Sequence, residues 1–221
     1  MNITKDTLKT LRDQGWARIP SNVHEVDALE ARTLEIAQRL GTPVRGRVRS
    51  IVEVLRPTAP EAAHPASLSR KYGLDAFPFH VDTAHWTVPA RFLILSCVSP
   101  GEESVPTLLA NRDDLHMSDE EQAVAKSAVF LVRNGRNSFY SSIFISGRDF
   151  VRYDPGCMEP QCQDAIRALA FFSRERVMPY VEKIDWQPGE SLIIDNWRVL
   201  HARDAVNQNA INRLLFRCLV V

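Results

Sequence analysis

Seven of the 13 prolines lie between Pro57 and Pro106, with no gap longer than 13 residues. Proline has no backbone N–H and clashes with the preceding helical turn, so this stretch cannot hold a long helix. It nevertheless contains a strand-like apolar run, Arg91-Phe92-Leu93-Ile94-Leu95-Ser96-Cys97-Val98. The middle of the chain must therefore be short strands and loops. The flanks differ. Thr4 or Asp6 can cap a helix carrying Leu8 and Leu11, and Gly15 stands where a left-handed C-terminal residue belongs. Trp16–Pro20 reads as a short strand. Ser21 or Asn22 then opens an amphipathic helix through Leu29, Ile36 and Leu40, stopped by Gly41 and Pro43.

Beyond that point, Val48, Val52 and Val54 share one parity and Arg45, Arg47 and Arg49 the other, the pattern of a strand with one wet face. The arginines either form that solvated face or steer an anionic substrate. Ser118-Asp119-Glu120-Glu121 is a capping box. Residues 128–133 and 138–145 read as strands around a turn at Asn134-Gly135. A second long helix is expected over about 159–178, closed by Pro179, followed by strands over 191–195, 197–202 and 212–221. The pattern is mainly β with flanking helices, an α+β chain whose core is a sandwich or jelly-roll barrel. One domain over 1–221 is expected, with a helix-strand-helix segment at 1–43 and the β core with its inserted helix over 44–221.

Composition excludes several classes. A 45% hydrophobic and 24% charged chain of 221 residues can bury a core and is not disordered. Its 27 basic and 27 acidic residues balance, so the footprint of a dedicated nucleic-acid binder is missing. No apolar run approaches the roughly 20 residues of a membrane span, and MNITKDTLKT lacks the apolar core of a secretory signal. Cys97, Cys157, Cys162 and Cys218 match no zinc pattern and read as reduced thiols, in keeping with a cytoplasmic protein. Nothing indicates an oligomeric state.

Only six histidines are present. In His80-Val81-Asp82 the two polar residues are two apart, so on a strand they face one point. They are either a hydrogen-bonded structural pair or two of the three ligands of a two-histidine, one-carboxylate iron site. His201, at the end of a later strand, can complete such a triad. Further on, Arg213 and Arg217 fall on one face of an apolar strand, with Leu214 and Phe216 on the other. Either that face is wet, or each guanidinium meets a carboxylate inside the barrel. His85 could line a pocket or pack behind the metal site. His24, His64 and His116 read as exposed, and Trp86 and Trp197 as core.

His80-x-Asp82, the block from Asp195 to Arg203 and the pair Arg213-x-x-x-Arg217 together resemble the taurine dioxygenase / clavaminate synthase-like family. Gly15–Pro20 and Leu40-Gly41-Thr42-Pro43 are similar to its entry segment. The resemblance implies a double-stranded β-helix and an Fe(II)- and 2-oxoglutarate-dependent dioxygenase. It would use O2 to oxidise, most simply hydroxylate, a C–H bond of a small acidic molecule such as an amino acid or derivative, releasing succinate and CO2. It implies His80, Asp82 and His201 as iron ligands, Thr107 and Arg213 on the far carboxylate of 2-oxoglutarate, and Arg217 on an acidic group of the substrate, whose pocket His85 could line. Two departures stand out: Glu102–Pro106 replaces the usual Gly-Gly before the threonine, and the interval from His80 to His201 is short. Asp82 stands where halogenating relatives carry a small residue. The rival readings are a cupin-type metalloenzyme that needs no 2-oxoglutarate and a barrel that binds a small acid without turnover.

Overall fold

The computed structural model describes residues 3–21 and 23–221. In chain order the elements are α1 (Lys5–Gln14), β1 (Trp16–Ile19), α2 (Val26–Leu40), β2 (Pro43–Val44), β3 (Val52–Leu55), α3 (Leu68–Tyr72), β4 (Phe92–Ser99), β5 (Thr107–Asn111) and α4 (Asp119–Ser127). There follow β6 (Phe130–Val132), β7 (Phe139–Ser141), β8 (Met158–Pro160), α5 (Gln163–Phe171), α6 (Arg174–Val177), β9 (Glu182–Ile184), β10 (Ser191–Asp195), β11 (Val199–Arg203) and β12 (Leu214–Val220). The fold is mixed α/β. Its largest sheet runs β1-β10-β4-β12-β2, with β3 also on β12; β11-β5-β9 and β7-β6-β8 form two further sheets. Every strand pairing described is antiparallel.

Alternation along the strands divides the core. From the large sheet, Leu93, Leu95, Leu192, Ile194, Leu215 and Leu219 face Leu109, Val199, Ile184 and Trp186 of the second sheet and its flank. The opposite parity, Ile94, Ile193, Cys218 and Val220, meets Leu11, Ile36 and Ala37 of the N-terminal helices. Burying each such aliphatic side chain contributes about 1.5–3 kcal/mol, so the helices seal one sheet face and leave the other to build the pocket. The second sheet is covered on its far side too, where Leu108, Ala110, Leu200 and Ala202 pack with Phe130, Val132, Ala125 and Ala168.

Local signals explain the termini. Thr4 Oγ1 accepts from Thr7 N at 3.0 Å, and Gly15 turns left-handed at φ 87°. Ser118 and Glu121 form the capping box of α4. Three expectations are corrected. The long helix begins at Val26 under a Glu25 cap, because Ser21 Oγ is taken by Val23 N and Arg32; the alternative cap, Asn22, lies outside the described residues. The basic run 45–50 is a loop between β2 and β3 rather than a strand. The helix expected over 159–178 is broken into β8, α5, α6 and a 3-10 turn at Met178–Tyr180. Phe172 there turns inward to stack on Tyr153 at 4.8 Å, and Ser173 caps a new start by accepting from Arg176 N.

Candidate metal centre

His80 and His201 are joined by one antiparallel bridge, His80 N–H to His201 O at 3.0 Å and His201 N–H to His80 O at 2.9 Å. Residues opposite each other in such a pair send their side chains to the same face, and the two imidazoles lie 4.3 Å apart between centroids. Asp82 rejoins that face two residues on. His80 Nε2 and His201 Nε2 each stand 3.9 Å from Asp82 Oδ1, too far for a hydrogen bond. The three groups offer ligand atoms within 4.8 Å of one another, a cluster that could hold a metal ion.

The surroundings fit that use. His80 Nδ1 faces Pro78 O at 3.0 Å, so it carries the proton and leaves the Nε2 lone pair toward Asp82. Burial, with some repulsion from His80, pushes the His201 imidazole down to about 3 against the pull of Asp82, which keeps it neutral. Burial opposes the Asp82 charge, but Arg217 and the two imidazoles overrule it and hold the carboxyl far below its ordinary range. Asp82 does not lie on a regular strand. Asn196 instead grips its peptide group, accepting from Asp82 N at 2.8 Å and donating to Asp82 O at 2.9 Å and Ala90 O at 2.8 Å. The next residue, Thr83, has φ 57°, a conformation β-branched residues rarely adopt, secured by its hydroxyl between Asp82 O and Ala90 N.

A cavity of about 380 Å³ opens over the three groups. Thr107, Arg213, Arg217 and His85 all line it. At one end Arg213, 7% exposed, donates to Thr107 Oγ1 at 3.3 Å, and Trp186 Nε1 donates to the same oxygen at 3.0 Å. Among the described residues Arg213 meets no carboxylate and its Nε has no partner, and burial lowers its pKa to about 10. Arg217 differs: Nη1 donates to Asp82 Oδ2 at 3.1 Å and Nη2 to Glu53 Oε2. The Glu53 carboxylate is buried, and its Oε1 has no hydrogen-bond partner. His85 borders the cavity beside Trp86, and burial lowers its pKa. His24, His64 and His116 are exposed, while Trp197 packs on Phe150 and donates to Pro89 O at 2.9 Å.

Glu53, Trp186 and Asn196 carry no sequence signal of their own. Glu53 alternates with valines as a wet-face residue would, and Asn196 sits in what reads as an ordinary turn.

A model of the family described as taurine catabolism dioxygenase TauD, TfdA family matches residues 105–219, just over half of the chain. A comparison with curated proteins finds none that matches. Asparagine oxygenase, solved with Fe(II), 2S,3S-3-hydroxyasparagine and succinate, is similar at TM-score 0.76 and 18% identity, covering 98% of this chain and 78% of that one. The non-heme iron oxygenase OrfP, with Fe and alpha-ketoglutaric acid, is similar at TM-score 0.74 and 18% identity, covering 98% and 79%. These likenesses extend the shared fold over nearly the whole chain, including the segment of His80 and Asp82 that precedes the family match. The chain belongs to the TauD, TfdA family and is a 2-oxoglutarate-dependent non-haem iron dioxygenase.

Proposed function

We propose that the protein hydroxylates a C–H bond of a small amino acid or amino-acid derivative in a single jelly-roll unit, the six-stranded sheet and the β11-β5-β9 sheet being the walls of a double-stranded β-helix. His80, Asp82 and His201 hold Fe(II), and Thr107 and Arg213 hold the far carboxylate of 2-oxoglutarate. When bound, the iron and 2-oxoglutarate supply the oxidising power, using O2 and releasing succinate and CO2. The chain's own residues bind, orient and shield. Arg217 occupies Asp82 Oδ2, which leaves Oδ1 to face the two Nε2 atoms. Leu93, Leu95, Leu215 and Leu219 line the cavity and keep water from its inner wall. Arg217 and His85 border the substrate space, and Arg47 reaches it from the loop after β2. Arg217 is already paired with Asp82 and Glu53, so the positive charge left for an acidic substrate group is that of Arg47. Asparagine oxygenase with hydroxyasparagine and OrfP with (3S)-hydroxy-L-Arg support an amino-acid substrate. Free thiols at Cys97, Cys157, Cys162 and Cys218 support work in a reducing cytoplasm, and no described helix is long and apolar enough to cross a membrane.

The observation that carries the reading is Arg213, a buried cation without a protein anion in the cavity of the histidine–carboxylate cluster. Burying such a charge is costly unless an anion arrives to pair with it. The cupin-type rival leaves this guanidinium unexplained, and a barrel that binds a small acid without turnover leaves the histidine–carboxylate cluster unexplained. The test is an anaerobic titration with Fe(II) and then 2-oxoglutarate, following the visible charge-transfer band of the chelate. The band is expected in the wild type and lost in Asp82→Ala. In Arg213→Ala it should need about 30-fold more 2-oxoglutarate or beyond, as removal of one member of a buried charge pair predicts. Confirmed Fe(II) binding without any band would overturn the assignment.

A further inference from the structure

Two other buried guanidiniums in the same region pair with no carboxylate among the described residues. Arg152, 1% exposed, donates through Nη1 to Ala84 O and, at 2.6 Å, to Trp86 O, and through Nη2 to Thr87 O at 2.8 Å. Its guanidinium carbon lies 4.9 Å from the centre of the Phe139 ring and 5.3 Å from that of Phe150. Arg203, 8% exposed, donates through Nη2 to Gly73 O at 2.5 Å and through Nη1 to Leu74 O at 3.3 Å and Asp204 O at 3.0 Å. The Phe77 ring centre is 3.9 Å from its guanidinium carbon. A cation held only by carbonyls and aromatic faces is a costly way to fill a core.

Their placement supplies a reason. Two of the three carbonyls held by Arg203, those of Gly73 and Leu74, precede His80, and those held by Arg152 follow Asp82. Between them the chain has no strand ladder. Its backbone is tied by Phe77 N–H to Arg203 O at 3.0 Å, by the single bridge to His201, by Val81 N–H to Tyr153 O at 2.8 Å and by Asn196. A planar five-donor fork reaches several carbonyls of one loop at once, which a lysine ammonium on a flexible stem cannot do.

We propose that Arg152 and Arg203 are positioning residues that bracket the His80-x-Asp82 segment and set it against His201 before any metal arrives. Neither acts as a ligand. Their contribution is to the angle and distance at which the other residues meet the ion, the part outer partners play at metal sites. The inference rests on the metal-binding reading of the cluster, and its test separates the two.

The test uses the full chain with Co(II) as the probe, read by its visible absorption. Arg152→Lys and Arg203→Lys, and Arg152→Met as a charge-free core replacement, are compared with the wild type for Co(II) affinity and for melting temperature without metal. Each folded variant is expected to bind Co(II) about 10- to 100-fold more weakly and to show an altered band shape. A lowered melting temperature with Co(II) affinity within about threefold of wild type would reduce both arginines to fold stabilisers and overturn the proposal. Amide exchange in the metal-free wild type gives an arm that needs no variant. The amides of Val81, Asp82 and Trp86, which donate to Tyr153 O, Asn196 Oδ1 and Thr83 O, should already be protected, and free exchange there until Co(II) is added would overturn the bracket even if every variant unfolds. A wild type that binds no Co(II) but keeps these amides protected would sink the metal reading and leave the bracket standing.

Discussion

Arg213 and Arg217 stand four residues apart and face the same cavity, yet their charges are answered in opposite ways. Arg217 lies between the carboxylates of Asp82 and Glu53, and burial, which alone would weaken its charge, is outweighed so that its pKa rises. Arg213 has a threonine hydroxyl and nothing anionic, and burial lowers its pKa to about 10. The residue type is the same, and Arg213 stands just before the strand that carries Arg217. The difference shows which charge the protein neutralises for itself and which it leaves for a ligand.

The largest effect expected from this contrast is on stability. Arg217→Met strands two buried carboxylates and should cost about 3–5 kcal/mol in urea unfolding of the metal-free protein. Arg213→Met strands no anion and should leave the same midpoint unchanged or raise it. Equal losses in the two variants would dissolve the distinction. A smaller effect follows pH. The unfolded chain protonates His201 near 6.5, whereas the folded metal-free chain resists until about 3. The stability this gives is complete above 6.5 and lost as pH falls toward 3, by up to about 1.4 kcal/mol per pH unit. Asp82, ionised well below its ordinary range, extends the loss at still lower pH. His201→Gln should flatten the upper part of that profile in thermal melts, and an unchanged slope would argue against a neutral His201. Smallest is Trp186→Phe, which removes one donor from Thr107 Oγ1. Calorimetry should find 2-oxoglutarate binding weaker by about 1 kcal/mol, roughly fivefold, with iron affinity untouched.

The residues brought to the cavity were largely legible from spacings of two and four that would share a face of a strand, although Asp82 is in fact set by Asn196 in a turn and Arg213 lies just before β12. Gly15, Thr4 and the capping box at Ser118 were legible for the same reason: their chemistry is local. What escaped was decided by distant partners. Glu53 reads as a wet-face residue until Arg217, 164 positions away, neutralises it. The valine–arginine alternation at 45–54 fits a strand, but no neighbour pairs its first half. The helix at 159–178 breaks where Phe172 enters the core, and no periodicity announces that. Arg152 faces the backbone that follows Asp82, which no local spacing announces.

The single bridge between His80 and His201 joins segments 121 residues apart, with most of the β framework lying between them in sequence. Closing such a loop is entropically late, and contacts of that range form slowly in any folding reaction. The ion therefore has no complete cluster to bind until the chain is nearly native. Metal added to a refolding chain should leave the folding rate almost unchanged and act on the reverse step, slowing unfolding in proportion to its occupancy. For this protein the metal is a latch on a finished structure and not the seed of one.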